Sequence, residues 1–287
     1  MDLLSAYIEG GILTTATGGV IKTTDNGSSA LDGITSGVVT NSGTIQIVDS
    51  TRLGLVGVIN NTGTINESST GATTALRIIG NTTLQGAGKL VMSDNVNNQI
   101  FGNSAGFQFA NVDNTISGAG VIGGGANMTL VNQTKGVINA NAFNALTVRT
   151  DASIITNAGT MEATSAVASN GGLVIFNTTV NNAGGTIEAL GALAHVNLNS
   201  ANIEGGKLTT TGKGVIETVD TSNTLDGITS GVLTNSGTVL VLDHTALSLV
   251  ARSATAGRSS RTPPASAVPR PSTSRVRAPR CRVPASS

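Results

Sequence analysis

The chain has 287 residues and a formal net charge of zero, but that zero hides two compositions. Residues 1–250 hold all sixteen acidic residues and eight of the sixteen basic ones, and the remainder holds the other eight basic residues, all six prolines and the lone Cys281. The acidic sign of the body argues against nucleic-acid binding, and its lack of cysteine excludes a disulfide scaffold or a cysteine-based zinc site.

In chain order, the first segment is "MDLLSAYIEGG", which has an acidic residue at position 2 and no apolar run of signal-peptide length, so it carries no export signal of its own. No later stretch approaches the roughly eighteen continuous apolar residues of a membrane helix. The unit "AYIEGGILTTATGGVIKTTDNGSSALDGITSGVVTNSGTIQIVDSTRLGLV" at 6–56 returns as "ANIEGGKLTTTGKGVIETVDTSNTLDGITSGVLTNSGTVLVLDHTALSLV" at 201–250, with one residue of slack in a Gly/Ser turn.

Between the copies runs a finer beat: "NSGTIQI" at 41, "NTGTI" at 61, "NQTKGVI" at 132, "NAGTM" at 157 and "NAGGTI" at 182. Asn and Gly tolerate positive φ and reverse the chain, and the Thr-Ile or Thr-Val that follows re-enters a strand with β-branched residues. With no tryptophan and few other aromatic residues, the core must come from Val, Ile, Leu, Ala and Thr. Stacked turns set like on like, so asparagines in register form amide ladders while aliphatic residues pile inward. Absence of proline fits, because interior rungs need their N–H groups for both neighbours.

The pattern predicts an all-β fold, a parallel β-helix over 1–250, right-handed by the usual sense of parallel crossovers. At roughly 22 residues per turn it makes about 11 rungs, a rod of about 50 Å at ~4.8 Å per rung. An antiparallel sandwich or barrel is the competing architecture, though sandwiches seldom repeat in sequence.

The phrases "IEGG-LTTTGKGVIETVD", "NTLDGIT" and "TNSGTV-V" resemble passenger repeats of large bacterial exoproteins of the autotransporter or filamentous-haemagglutinin-like adhesin type. The resemblance covers 1–250 and implies a secreted or cell-surface stalk. An export signal and a membrane anchor, both features of that family, are missing from the sequence.

Residues 251–287 read as a disordered Arg/Pro-rich tail that cannot bury a core. Discarding the first two bases of the codon at 251 permits Thr-Val-Gly-Asn-Ser-Gly-Thr-Ile, close to "VINNTGTI" at 58–65 and in the register that loss of one base in that codon would produce, so the tail reads as the next rung translated out of frame and the chain as a fragment of a longer gene. A natural linker or nucleic-acid-binding tail is the alternative, although it has no aromatic residue to stack on a base. Neither Met1–Tyr7 nor the tail has the pattern of a cap, which predicts self-association through the coil ends.

Chemistry is scarce. Asp32 recurs as Asp226, Asp49 as Asp243 and Glu9 as Glu204, and carboxylates that reappear in the same phrase point to turn hydrogen bonding, since an active site is one convergent constellation. His195 and His244 stand isolated, and His244 replaces Ser50 of the first copy in a solvated loop position. "GAGVIGGGANMTL" at 118–130 lacks the residues of a phosphate loop or a calcium nonapeptide, so its glycines read as tight corners. Cys281 has no assignable base. Asn81 and Asn127 head glycosylation tripeptides of a kind frequent by chance in such a composition. No catalytic, cofactor-binding or metal site is expected. The function expected is a non-enzymatic structural and adhesive stalk contacting host or matrix glycans or proteins, the alternative being a β-helix polysaccharide lyase or hydrolase. A Thr-ladder ice- or crystal-binding face would need Thr-x-Thr on every rung.

Overall fold

The computed structural model describes residues 1–24, 27–125, 128–164, 171–250 and 253–255. These residues contain no α-helix. Every strand pairing among them is parallel, and the strands stack as a solenoid of three ladders.

The first ladder is a twelve-stranded sheet with one strand from each successive turn, running from Asp2–Leu3 through Ile21–Thr23 and Thr44–Val48 to Ser253–Thr255. The second and third ladders follow it around each turn, as Tyr7–Glu9 and then Gly11–Leu13 do in the first. In four turns one strand bends across both faces: Arg52–Asn61, Thr74–Gln85, Leu173–Asn181 and His195–Glu204.

Side chains alternate in and out along each strand, and register keeps each column intact from turn to turn. The inward column of the first face reads Ile45, Ile65, Leu90, Ile116, Ile138, Met161, Ile187 and Leu208, all fully buried. On the second face the same column holds Leu76, Ile100, Ile122, Val148, Ile175 and Leu198. Three sheets face one narrow axis, so each rung has room for a few medium aliphatic side chains and little else. That accounts for the aromatic-poor composition, with Phe109 the largest side chain fully inside.

The long repeat is out of phase with the coil. In the first copy the strands of "YIEGGIL" lie on the second and third faces, whereas the matching phrase of the second copy has Asn202–Glu204 on the third face and Gly206–Gly212 on the first. The copies are therefore separated by eight turns and one further face. The corner itself is unchanged. Gly10 and Gly205 both have positive φ (63° and 68°), and a Cβ at either would lie 2.3 or 2.5 Å from the carbonyl oxygen of Ser36 or Ser230.

The last described strand, Ser253–Thr255, pairs with Leu233–Asn235 and carries the first face a few residues past Val250, where the sequence pattern set the end of the coil. Residues 256–287, with Cys281 and most of the segment read as an out-of-frame tail, lie outside the described residues, as does Asn127.

Candidate functional site: corners and outer faces

The repeated carboxylates are turn-makers. Asp32 accepts hydrogen bonds from the N–H groups of Ile34 (2.7 Å) and Thr35 (3.0 Å) and from the Thr35 hydroxyl (2.7 Å). Asp226 repeats the set with Ile228 (2.6 Å) and Thr229 (3.0 and 2.6 Å). The Thr35 hydroxyl and the two N–H groups hold the Asp32 carboxyl below its usual range; at Asp226 burial pulls upward and the same three bonds outweigh it. Ser36 donates to Glu9 (3.4 Å) and Ser230 to Glu204 (2.9 Å), tying each loop to the turn before it. Asp49 accepts from Thr70 N–H (2.8 Å) and Ala72 N–H (3.1 Å) of the next turn. Eight turns separate each residue from its counterpart, so these carboxylates do not converge.

The asparagines form the expected ladder where the third face turns into the first. Asn41 Nδ2 donates to Asn61 Oδ1 (2.7 Å), Asn132 to Asn157 (2.8 Å) and Asn157 to Asn182 (2.7 Å), all fully buried. The intervening turn has no asparagine at this corner. There Asn61 reaches across Gly88 to Asn114 Oδ1 (2.9 Å), and a Cβ on Gly88 would collide with the Asn61 carbonyl at 2.3 Å. Asn111 Nδ2 then donates to Asn132 Oδ1 (3.0 Å) and resumes the series. Each amide also satisfies backbone groups buried with it, as Asn132 does for the carbonyls of Gly136 and Thr160. The ladder holds the fold and is not open to a ligand.

Register brings together ionisable groups that the sequence reading left apart or passed over. His195 is not isolated: its Nδ1 lies 2.8 Å from Glu217 Oε1 on the next turn of the second face. Glu162 stacks on Glu188 on the outer first face, and burial, followed by the neighbouring charge and hydrogen bond of Glu188, raises its carboxyl above the usual range. The tetrads "TMEA" and "TIEA" at 160 and 186 carried that signal. Glu67 points into the core. Desolvation pushes it well above the ordinary carboxylate range although Leu76 N–H donates to Oε1 (2.9 Å), and Oε2 has no partner. Strand alternation in "TINES" placed Glu67 on the same side as Ile65. His244 is 91 % exposed with φ 58°, matching Ser50 at φ 67° and the solvated position expected of it.

In "GAGVIGGGANMTL" the glycines at 118, 120, 123 and 124 all have positive φ, but only Gly118 sits at a corner. Gly120, Gly123 and Gly124 lie inside the strand Gly120–Gly125, whose register with Asn98–Gly102 shifts after Ile122, so the run makes a strand irregularity where corners were expected. Asn81 is exposed and accepts from Gln108 N–H (3.0 Å), while the hydroxyl of Thr82 in the same tripeptide is bonded to the Leu55 carbonyl (3.0 Å).

Outside, the first face carries two polar columns. One contains Thr44, Thr64, Thr115, Thr160, Thr186 and Thr234, interrupted by Lys89, Val137 and Lys207. The other, two residues along each strand, runs from Gln46 and Asn66 through Val91, Ser117 and Asn139 to Glu162, Glu188 and Thr209. Thr-x-Thr does not recur from rung to rung, which the crystal-lattice reading required. The threonine column follows from the Asn-x-Gly-Thr phrase, whose Asn enters the ladder and whose Thr opens the next strand outward.

Among the described residues no group of three or more His, Cys, Asp or Glu side chains could hold a metal ion, and no helix is long and apolar enough to cross a membrane. No protein-family model, curated protein or solved structure matches this chain.

Proposed function

We propose that the chain is a non-enzymatic structural and adhesive stalk segment of a secreted or cell-surface exoprotein, of the autotransporter or haemagglutinin-like type that its repeats resemble. The observation that supports the reading is the outer first face, where threonine hydroxyls and side-chain amides stand in rows one strand spacing apart, about 4.8 Å. Such rows offer donors and acceptors at a fixed pitch, without the desolvation cost of dense charge, and suit the hydroxyl groups of a glycan. The alternative, a β-helix lyase or hydrolase, is favoured only by Glu162 and Glu188, a stacked pair of carboxylates of which burial raises Glu162. Incubating the full chain with an array of immobilised host and matrix glycans tests both. Retention without chain shortening is expected; new reducing ends or unsaturated products replace the adhesive reading with the enzymatic one.

Self-association belongs to the same proposal. Asp2–Leu3 hydrogen-bonds only to Ile21–Thr23 among the described strands, which leaves a row of backbone groups open to a second copy. Sedimentation of the full chain over a wide concentration range is expected to show concentration-dependent association, and a monomer throughout removes this part.

A further inference from the structure

All three arginines of residues 1–250 stand on the outward side of one face. Arg52 lies opposite Ala75, and Arg77 is in register with Gly54 before it and Phe101 after it. Arg149 is in register with Gly123, and its guanidinium lies 5.5 Å from the centroid of the Phe176 ring. Arg77, Phe101, a Gly123–Gly124 gap, Arg149 and Phe176 therefore follow one another along one outward column of the second face, and Arg52 stands in the neighbouring column one turn before Arg77. Five steps of ~4.8 Å make a track of about 24 Å along the axis. The five body lysines fall elsewhere, on the first face or at corners.

Arg52 and Arg77 crowd each other. A Cβ on Gly27 would sit 2.9 Å from Arg77 Nη1 and 3.3 Å from Arg52 Cδ, so the two side chains converge on one spot that only glycine leaves open. Arg77 Nη1 donates to the Gly27 carbonyl (2.8 Å), which fixes the guanidinium plane. Among the described residues neither arginine has an ion-pair partner, whereas Arg149 reaches Asp151 at 3.2 Å. Among the described residues the Nε groups of all three are buried with no acceptor, so the stems are packed down. Two adjacent fixed cations repel each other, and an oxyanion bound between them removes that cost.

The gap is built as well. A Cβ on Gly123 would lie 1.6 Å from the Arg149 carbonyl oxygen, and one on Gly124 would lie 3.3 Å from Arg149 Nε, so the two glycines leave the room that the Arg149 side chain takes. Phe101 is half-buried with one side outward. Guanidinium groups and aromatic rings interspersed along one outward track fit a polymer whose units carry both an oxyanion and an apolar ring face.

We propose that the second face binds a linear anionic glycan lying along the solenoid axis, with its carboxylate or sulfate groups on Arg52, Arg77 and Arg149 and its sugar rings against Phe101 and Phe176. This deepens the adhesive reading and rests on it. The test is fluorescence anisotropy of the full chain with three labelled oligosaccharides of equal length: a sulfated glycosaminoglycan, an unsulfated uronate chain and a neutral glucan. Salt-sensitive binding of the acidic chains is expected, with the glucan at least tenfold weaker. Binding to both acidic chains assigns the shared oxyanion, and binding to the sulfated chain alone assigns the sulfate ester; either supports the track. R52A/R77A is expected to lower affinity at least tenfold, with F101A lowering it severalfold. R77K retains charge without the fork and falls between, while K135A/K213A, at exposed turns off both faces, changes nothing. Circular dichroism of each variant confirms that the strands are kept. Equal loss in the lysine variant overturns the track, because it shows diffuse charge attraction. Neutral-glycan binding indifferent to the arginines overturns the track and leaves the adhesive reading standing. Absence of binding to any glycan, here and on the array, overturns both.

Discussion

Residues 6–56 and 201–250 run the same phrase on different faces of the coil, and the comparison separates what belongs to a corner from what belongs to a column. The Asp32 and Asp226 loops, the Ser-to-Glu ties and the positive-φ glycines are reproduced bond for bond after a shift of one face. Corner chemistry is therefore local and portable. Asn41 and Asn235 show the limit: both cap their own turn, accepting from Gly43 N–H (3.2 Å) and Gly237 N–H (3.0 Å), but only Asn41 has an asparagine stacked against it. Shifted by a face, Asn235 stands outside the ladder and keeps just its turn bonds.

The sharpest way to break the comparison is to remove one asparagine from each setting. N132A deletes an amide that donates to Asn157, Gly136 and Thr160 and accepts from Asn111, all buried, and is expected to destabilise by about 2–4 kcal/mol. N235A, outside the ladder, is expected to cost about 1 kcal/mol. Urea unfolding followed by circular dichroism reads both, and equal losses would remove the distinction between ladder and corner.

Next in size is the corner glycine. G10A and G205A each force a Cβ onto a carbonyl at positive φ and are each expected to cost about 2 kcal/mol, since the environments match. Clearly unequal melting shifts would mean that the shared corner is not autonomous.

Carboxylates give a pH-dependent contrast. Burial raises Glu67 in the folded state, so its contribution is fully present below the unfolded value near 4.5 and is lost as pH rises toward the folded value. Over that window stability is expected to fall by about 1.4 kcal/mol per pH unit, and E67Q is expected to flatten the slope. Asp32 and Asp226 are lowered, so their contribution is present above the unfolded value of about 3.8 and is lost as pH falls through the folded one. D32N and D226N, the smallest effects, are each expected to cost below about 1 kcal/mol at neutral pH, because solvent screens these loop carboxylates. Thermal melts between pH 3 and 8 separate the two kinds.

Much of this was legible in the sequence because repetition constrains stacking: Asn-x-Gly-Thr implied the turn, the strand and the amide ladder together, and the recurrence of Asp32 as Asp226 implied turn bonding. What could not be read was which residues of different turns meet, since a turn takes between 20 residues, as from Thr44 to Thr64, and 28, as from Gly11 to Val39. His195 with Glu217, Glu162 with Glu188, and Arg77 beside Phe101 lie 22, 26 and 24 residues apart, and no fixed period links them. The glycine-rich stretch was read as corners alone. That it clears room for Arg149 depends on a side chain 25 residues on, which only register supplies.

The shift of one face between the copies acts as a screw. Residues 31–38 and 225–232 are the same octapeptide, LDGITSGV, and in both Ile34/Ile228 and Val38/Val232 project into solvent. Eight turns and a third carry the second loop about 40 Å along the axis and a third of the way round it. A flat surface pressed against the rod therefore touches one of these loops and misses the other. Reaching both requires a partner that wraps, or two partners that approach from different sides.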